Sequence, residues 1–244
     1  MPSSDKPKKS ASQKKVSLKK RVAWIVFDLV LCFLAFTVIP VLLYRVVNPP
    51  TTPLMWIRWV ESGYQNDQPL KIRQWASLNE ISANLIRAVL TAEDQKFFNH
   101  GGFDWEAMQA AFKHNFESDN KRGASTISMQ TARNVFLWQE RTWLRKILEA
   151  YFTLLIELLW PKHRILEVYL NVIEWGDGVF GCQSASHGFF NHPPKSISPV
   201  ESAWMAAVLP NPRVWSIKHP PKKVVDRQAK ILREMYQIHI PSKA

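Results

Sequence analysis

Residues 77–102 read SLNEISANLIRAVLTAEDQKFFNHGG, and the spacing of their apolar residues is helical. Leu85, Ala88, Val89 and Ala92 recur three and four apart, which lines them along one face of a helix. Ser77-x-x-Glu80 has the form of a capping box, so the pattern predicts a helix opening at Ser77 and closing at Glu93. The closing residues, Glu93-Asp94-Gln95-Lys96-Phe97-Phe98-Asn99-His100-Gly101-Gly102, set adjacent carboxylates, a lysine, two aromatics and a histidine before a glycine pair. A carboxylate at a helix end against aromatic walls could be desolvated enough to serve as a base near neutral pH. The same pattern also suits an ordinary capped helix end, and spacing alone does not choose between them.

Downstream the texture stays helical, with no sustained alternation of period two. Helical stretches are expected at about 104–117, 125–137, 141–159, 163–171, 181–190, 198–209 and 222–237. Pro161 and the cluster Gly176, Gly178 and Gly181 punctuate them. No internal repeat is visible, and about 200 residues suffice to bury one substantial core. The expected fold is therefore mostly α, with one domain over 75–238 and a short tail over 239–244.

The 244 residues carry a formal net charge of +12, 46% hydrophobic residues, 16 prolines, 8 glycines and 2 cysteines. That apolar fraction excludes a disordered chain, and prolines without a Gly-X-Y period exclude collagen. Two cysteines make no disulfide framework, and no Cys/His cluster has zinc spacing, so the fold must rest on packing. The charge is concentrated at the start: residues 1–21 hold Lys6, Lys8, Lys9, Lys14, Lys15, Lys19, Lys20 and Arg21 against Asp5. Val22 to Tyr44 then carries Asp28 as its sole charge, and as a helix it spans roughly 34 Å, enough for a bilayer core of about 30 Å. A cleavable signal peptide shares the basic head, but this run is longer than the usual h-region and ends in PVLLYR, with no small-x-small site. The expected order is a cytoplasmic tail at 1–21, a membrane anchor at 22–44 and a linker with membrane-proximal segment at 45–74. Basic residues stay on the cytoplasmic side, so in a bacterium the domain faces the periplasm from the inner membrane. Asp28 marks either a partner helix or a position near enough to the cytoplasmic end to stay wet. Pro49, Pro50 and Pro53 in NPPTTP break any continuing helix. Trp56 and Trp59 then suit either the headgroup layer or the first buried helix of the domain.

Gly123-Ala124-Ser125-Thr126-Ile127-Ser128-Met129-Gln130 is a small, hydroxyl-rich loop running into a helix, whose free N–H groups could meet an anion such as a phosphate. It lacks Gly-Lys-Ser/Thr and is no P-loop. Arg133, Arg145, Lys146 and Lys162 supply cations, and Glu149 follows Arg145 by four residues and Lys146 by three, on one helix face. A solvated ion pair would account for that spacing equally well.

Five ordered segments together resemble the peptidoglycan glycosyltransferases, the family 51 transglycosylases that polymerise lipid II: EDQKFFNHGG (93–102), GASTISMQ (123–130), RKILE (145–149), KHRILEVYLN (162–171) and ESAWMAAVLPNP (201–212). The likeness covers roughly residues 75–238. It implies a lysozyme-like α-helical domain with a smaller membrane-proximal lobe. With no transpeptidase domain after residue 244, a monofunctional member is expected. By this resemblance Glu93 matches the catalytic base that takes the proton from the acceptor's 4-hydroxyl. Glu149 matches the second acidic residue, which places the donor or its pyrophosphate, with a divalent cation, Mg or Mn, as the cofactor expected near it. Asp94, Lys96, Phe97 and His100 would bind substrate from the first motif, together with Gly123, Ser125, Thr126, Gln130, Arg133, Arg145, Lys146, Lys162 and Asn171. Gly102, Ile165, Leu166, Tyr169 and Leu170 complete the motifs. Met129 stands where a glutamine is usual, which is expected to remove an amide from the cleft, and Arg133 where lysine is common, changing a point charge into a planar fork. The implied partners are lipid II, the growing glycan strand, the bilayer and other wall-synthesis or division proteins, with no nucleic acid.

Two rivals differ in class. A lytic hydrolase of the same polymer would leave the cations near Glu149 without a role, and a membrane-tethered scaffold would survive loss of Glu93. Topology gives the first test: a reporter fused to the C-terminus should be active only across the membrane from the basic head, and cytoplasmic activity would overturn the orientation.

Overall fold

The computed structural model describes residues 18–63, 74–118, 123–140 and 142–241 of the chain. Two compact units are distinguished, residues 1–40 and residues 41–244. The described part of the first is one helix, α1 (Leu18–Tyr44), which opens four residues before Val22 and runs on into the second unit. It is long and apolar enough to cross a membrane. The basic head up to residue 17, the linker residues 64–73 and the tail residues 242–244 lie outside the described residues.

In the second unit the carbonyls that end α1 are capped from afar. Trp160 Nε1 donates to the Val41 carbonyl at 2.7 Å, and Arg164 donates to the Tyr44 carbonyl through Nε and Nη2 at 3.0 and 2.9 Å. The prolines break the chain as expected: α2 (Pro53–Glu61) starts afresh with Thr52 as N-cap, its hydroxyl accepting from Met55 N–H. α2 is partly built into the domain. Leu54 and Met55 are buried beside Phe180, while Trp56 is half exposed. Arg58 fastens the helix through a fork of hydrogen bonds to the buried Glu174, at 3.0–3.2 Å.

The remaining helices are α3 (Ala83–Glu93), α4 (Trp105–Glu117), α5 (Ile127–Phe136), α6 (Trp143–Leu159), α7 (Lys162–Val172), α8 (Cys182–Phe190), α9 (Pro199–Val208) and α10 (Lys222–Glu234). α3 packs on α9 and α9 on α10, while α5 packs on both α6 and α7. Leu85, Phe97, Ile127, Ile156, Tyr169 and Trp175 are among the largest fully buried side chains of the core they share.

Two expectations need correction. The Ser77–Glu80 box forms, with the Glu80 carboxylate accepting from Ser77 N–H and Oγ at 2.8 Å, but it closes only a 3₁₀ turn, Leu78–Glu80. The helix begins at Ala83, where the Ser82 hydroxyl accepts from Asn84 N–H. The glycine cluster is also more than punctuation. It builds a two-stranded antiparallel hairpin, β1 (Glu174–Gly176) and β2 (Val179–Phe180), too short for an alternating pattern to register in sequence.

Outside α1, exposed apolar residues among the described residues gather on α4 and α6. Trp105, Phe112 and Phe116 on α4, and Trp143, Leu144, Ile147, Leu154 and Leu158 on α6, are each more than half exposed. The α6 set recurs at helical spacing, a stripe rather than a scatter.

Gly181, at φ +78°, precedes α8, and a Cβ there would lie 2.8 Å from the Asn171 carbonyl oxygen. Both the left-handed backbone and the fixed carbonyl demand glycine. Gly181→Ala is expected to cost at least about 2 kcal/mol, a fall in Tm of about 4–8 °C for a domain of this size. An unchanged melting curve would contradict the packing described.

Candidate active site

The end of α3 is held by a chain of local contacts. Asp94, buried one residue past the helix, accepts the Ile127 backbone N–H on Oδ2 at 2.9 Å, which puts a carboxylate on the N-terminus of α5. His100 Nε2 lies 2.9 Å from Asp94 Oδ1, and His100 Nδ1 accepts from Gly102 N–H at 3.2 Å. Thr126 caps α5 through Met129 N–H and donates its hydroxyl to the Gly102 carbonyl at 2.6 Å. Gly102, at φ +94°, has room for no side chain because Thr153 Cγ2 would stand 2.8 Å from its Cβ.

This frame presents Glu93, the last residue of α3, with 14% of its side chain exposed. Gln130 Nε2, one turn into α5, donates to Glu93 Oε2 at 2.9 Å, and Arg227 Nη2 from α10 donates to Glu93 Oε1 at 3.0 Å and to the Ala92 carbonyl at 2.9 Å. The Tyr169 hydroxyl on α7 donates to Gln130 Oε1 at 3.2 Å. Burial raises the Glu93 carboxyl above its ordinary range, opposed by the Gln130 hydrogen bond and by the charges of Arg227 and Arg133. The buried Tyr169 phenol is pushed well above its ordinary value, foremost by desolvation, and stays a hydroxyl at neutral pH.

A second acid lies on α6. Glu149 is 1% exposed, and both its oxygens are engaged: Arg145 Nη1 donates to one, and Lys146 Nζ to the other at 2.5 Å. The solvated ion pair is therefore excluded, because this carboxylate is inside. Arg145 is itself buried, with Nε donating to the Glu140 carbonyl at 2.6 Å, while Lys146 keeps 41% of its side chain exposed. Arg133 on α5 links the two acids. Burial pulls its guanidinium below the ordinary value, Glu149 and Glu93 act against that shift and Arg145 with it, and its buried Nε has no hydrogen-bond partner among the described residues.

Glu93, Gln130, Arg133, Arg145, Lys146 and Glu149 thus form one electrostatic neighbourhood, with Ser125 at its edge through a carbonyl 3.5 Å from Gln130 Nε2. Other expected substrate contacts are placed differently. Asp94, His100 and Thr126 use their polar atoms on each other and on backbone. Phe97 is wholly buried, and Asn171 holds residue 76, accepting from Ala76 N–H and donating to its carbonyl. These five position the wall of the site. Lys162 is tied to Glu157 at 2.7 Å and lies 4.5 Å from the centre of the Phe97 ring. Lys96 is on the surface beside Glu106, and Gly123 is exposed with open space around it. Met129 is 2% exposed, so it packs inside and takes no amide away from the cleft.

The divalent cation expected near Glu149 does not fit the donor set. Among the described residues no three His, Cys, Asp or Glu side chains come together, and both Glu149 oxygens already face cations. The cluster suits an incoming anion, and no step is assigned to a metal.

Arg227 and Glu157 were not found from sequence. On α10, Val224, Gln228 and Ile231 form the buried face, and Arg227 sits on its border. That periodicity was a usable signal for a cation reaching inward, but not for its target, 134 residues away.

The transglycosylase family profile matches residues 64–236. The biosynthetic peptidoglycan transglycosylase of Bdellovibrio bacteriovorus is 50% identical over 212 residues, covering 87% of this chain and 84% of that protein. That of Pseudomonas fluorescens is 50% identical over 206 residues (84% and 86%), and that of Rhodospirillum centenum 48% over 218 residues (89% and 90%).

Removing the Arg227 charge removes an effect that favours ionised Glu93. In Arg227→Met the Glu93 carboxyl should therefore titrate at higher pH than in the unmodified protein, followed by the carboxyl ¹³C shift. An equal or lower midpoint would show that Arg227 does not govern this group.

Proposed function

The chain belongs to the transglycosylase family, and from that premise we propose how its two acids divide the work. Its activity is peptidoglycan glycosyl transfer in cell-wall biosynthesis. The donor in this reading is the growing glycan, joined at its anomeric carbon to a lipid pyrophosphate, and the acceptor is lipid II. Glu93 takes the proton from the acceptor 4-hydroxyl as that oxygen attacks the anomeric carbon. The bond to pyrophosphate breaks, and polyprenyl pyrophosphate leaves. One displacement inverts the anomeric centre, and the leaving group is already good enough that no protein nucleophile is needed.

The observation that carries this reading is the pairing of a desolvated carboxylate with a cluster of cations through Arg133. Charge gathers on the pyrophosphate as its bond breaks, and Arg133, Arg145 and Lys146 offer preorganised positive charge to it. Glu149 holds Arg145 and Lys146 in place from beneath. A lytic enzyme, acting on an uncharged glycosidic bond, has no use for that cluster.

α1 fits a single-pass membrane anchor. The exposed apolar faces of α4 and α6 support a bilayer as the surface the domain rests on, since water is an unfavourable neighbour for so many large side chains. Both lipid-linked substrates are held in that bilayer.

The test is incubation of the purified protein with lipid II, separating polymer from monomer. Glu93→Gln keeps shape but accepts no proton, and should lower polymerisation about 10²–10⁴-fold with substrate still bound. Lys146→Ala should weaken turnover, and Glu149→Gln should impair donor use while leaving residual activity that rises with donor concentration. Normal polymerisation by Glu93→Gln would overturn the assignment. Shortening of preformed glycan would instead indicate the lytic reading.

A further inference from the structure

Gln130 stands between groups with opposite demands. On its amide nitrogen side are two acceptors, Glu93 Oε2 at 2.9 Å and the Ser125 carbonyl at 3.5 Å, and on its oxygen side is the Tyr169 hydroxyl at 3.2 Å. A carboxamide turned over has nearly the same shape but exchanges its donor for its acceptor. Turned over here, the amide oxygen would face both acceptors, an arrangement relieved only when Glu93 carries a proton to donate. The hydroxyl opposes this: it donates into the amide oxygen as the amide stands, whereas facing a turned amide it could only accept, and its buried proton would lose that acceptor. In a buried chain of this kind each hydrogen bond polarises the next. Tyr169 is 1% exposed.

We propose that Tyr169 is a positioning residue for the base: its hydroxyl holds Gln130 with the amide N–H, and not the amide oxygen, against the Glu93 carboxylate. The inference rests on Glu93 being that base. The other charged groups about Glu93 are Arg227 from α10, Arg133 from α5 and Asp94 beside it, with Arg145, Lys146 and Glu149 of α6 beyond Arg133. Tyr169→Phe leaves all of these and removes one oxygen. The Glu93 carboxylate then loses part of a donated hydrogen bond, and a protonated Glu93 gains the chance to donate to a turned amide. Both changes favour the protonated form, which cannot act as a base.

The experiment is the pH dependence of lipid II polymerisation by the full chain. In Tyr169→Phe the acid limb should move to higher pH by about half a unit, roughly a threefold lower rate on the limb, with the rate recovering above it and KM nearly unchanged. Gln130→Met should move the limb at least as far. Adding Tyr169→Phe to it should then change nothing more, because the hydroxyl acts through the amide. An unmoved limb, a loss equal at every pH, or an additive double variant would each overturn the proposal. Should Tyr169→Phe fail to fold, 3-fluorotyrosine at position 169 keeps the shape and donates more strongly, so the limb should move down, and an unmoved limb again overturns it. Failure of the base assignment is read separately, as normal polymerisation by Glu93→Gln.

Discussion

A buried carboxylate joins the end of one helix to the start of another. Asp94 receives the first N–H of α5 and faces His100, and through Gly102 and Thr126 the same contacts return to the α5 cap. A negative charge at a helix N-terminus stabilises by about 0.3–2 kcal/mol, the upper end belonging to partly buried geometry. Its larger consequence is geometric. Once α3 and α5 are tied there, Glu93 is fixed one residue back along the chain and Gln130 one turn forward, which brings them to 2.9 Å. Cutting the tie would leave the buried carboxylate facing His100 alone among the described residues, a more damaging change than losing the attraction itself.

From that junction the two acids acquire different characters. Glu93 has one full positive charge on an oxygen, an amide on the other and an opening to solvent, so burial still favours its proton. Glu149 has a cation on each oxygen and almost no exposure. The first keeps an edge open to whatever enters, and the second is spent on holding Arg145 and Lys146. Arg133 is shared by both environments, and its buried Nε has no hydrogen-bond partner among the described residues. A buried donor without a partner costs free energy, so an anion arriving beside it is favoured beyond simple charge attraction.

Much of this was legible in the chain. The long apolar helix α1, the proline break, the domain helices and the closing of α3 at Glu93 all came from apolar spacing and breakers, since burial on one face forces a helical period within the domain. The Ser77 box misled because such a box satisfies local N–H groups whether a long helix or a single turn comes after it. Ser198–Glu201 forms the same contacts and does open α9. Met129 was placed in the cleft by motif position, yet Met129, Ala132 and Val135 are all buried on α5, so its period pointed inward. Arg227 could be seen as a border residue of α10, but its meeting with Glu93 depends on α3, α9 and α10 packing on one another, which no local pattern encodes. The stripe on α6 is plain in sequence as a helical face. Read without the fold it passes for core, because only packing reveals that none of the described residues covers it.

The central claim is that Glu93 is a carboxylate made basic by enclosure and used as the base. One comparison tests it most directly: the acid-limb midpoint of kcat/KM for lipid II polymerisation, set beside the midpoint of the Glu93 carboxyl followed by ¹³C in the same free enzyme. The account predicts one shared midpoint, above the ordinary glutamate value of about 4.3. A limb that departs from the Glu93 titration, or a Glu93 that titrates as an exposed glutamate does, would contradict it.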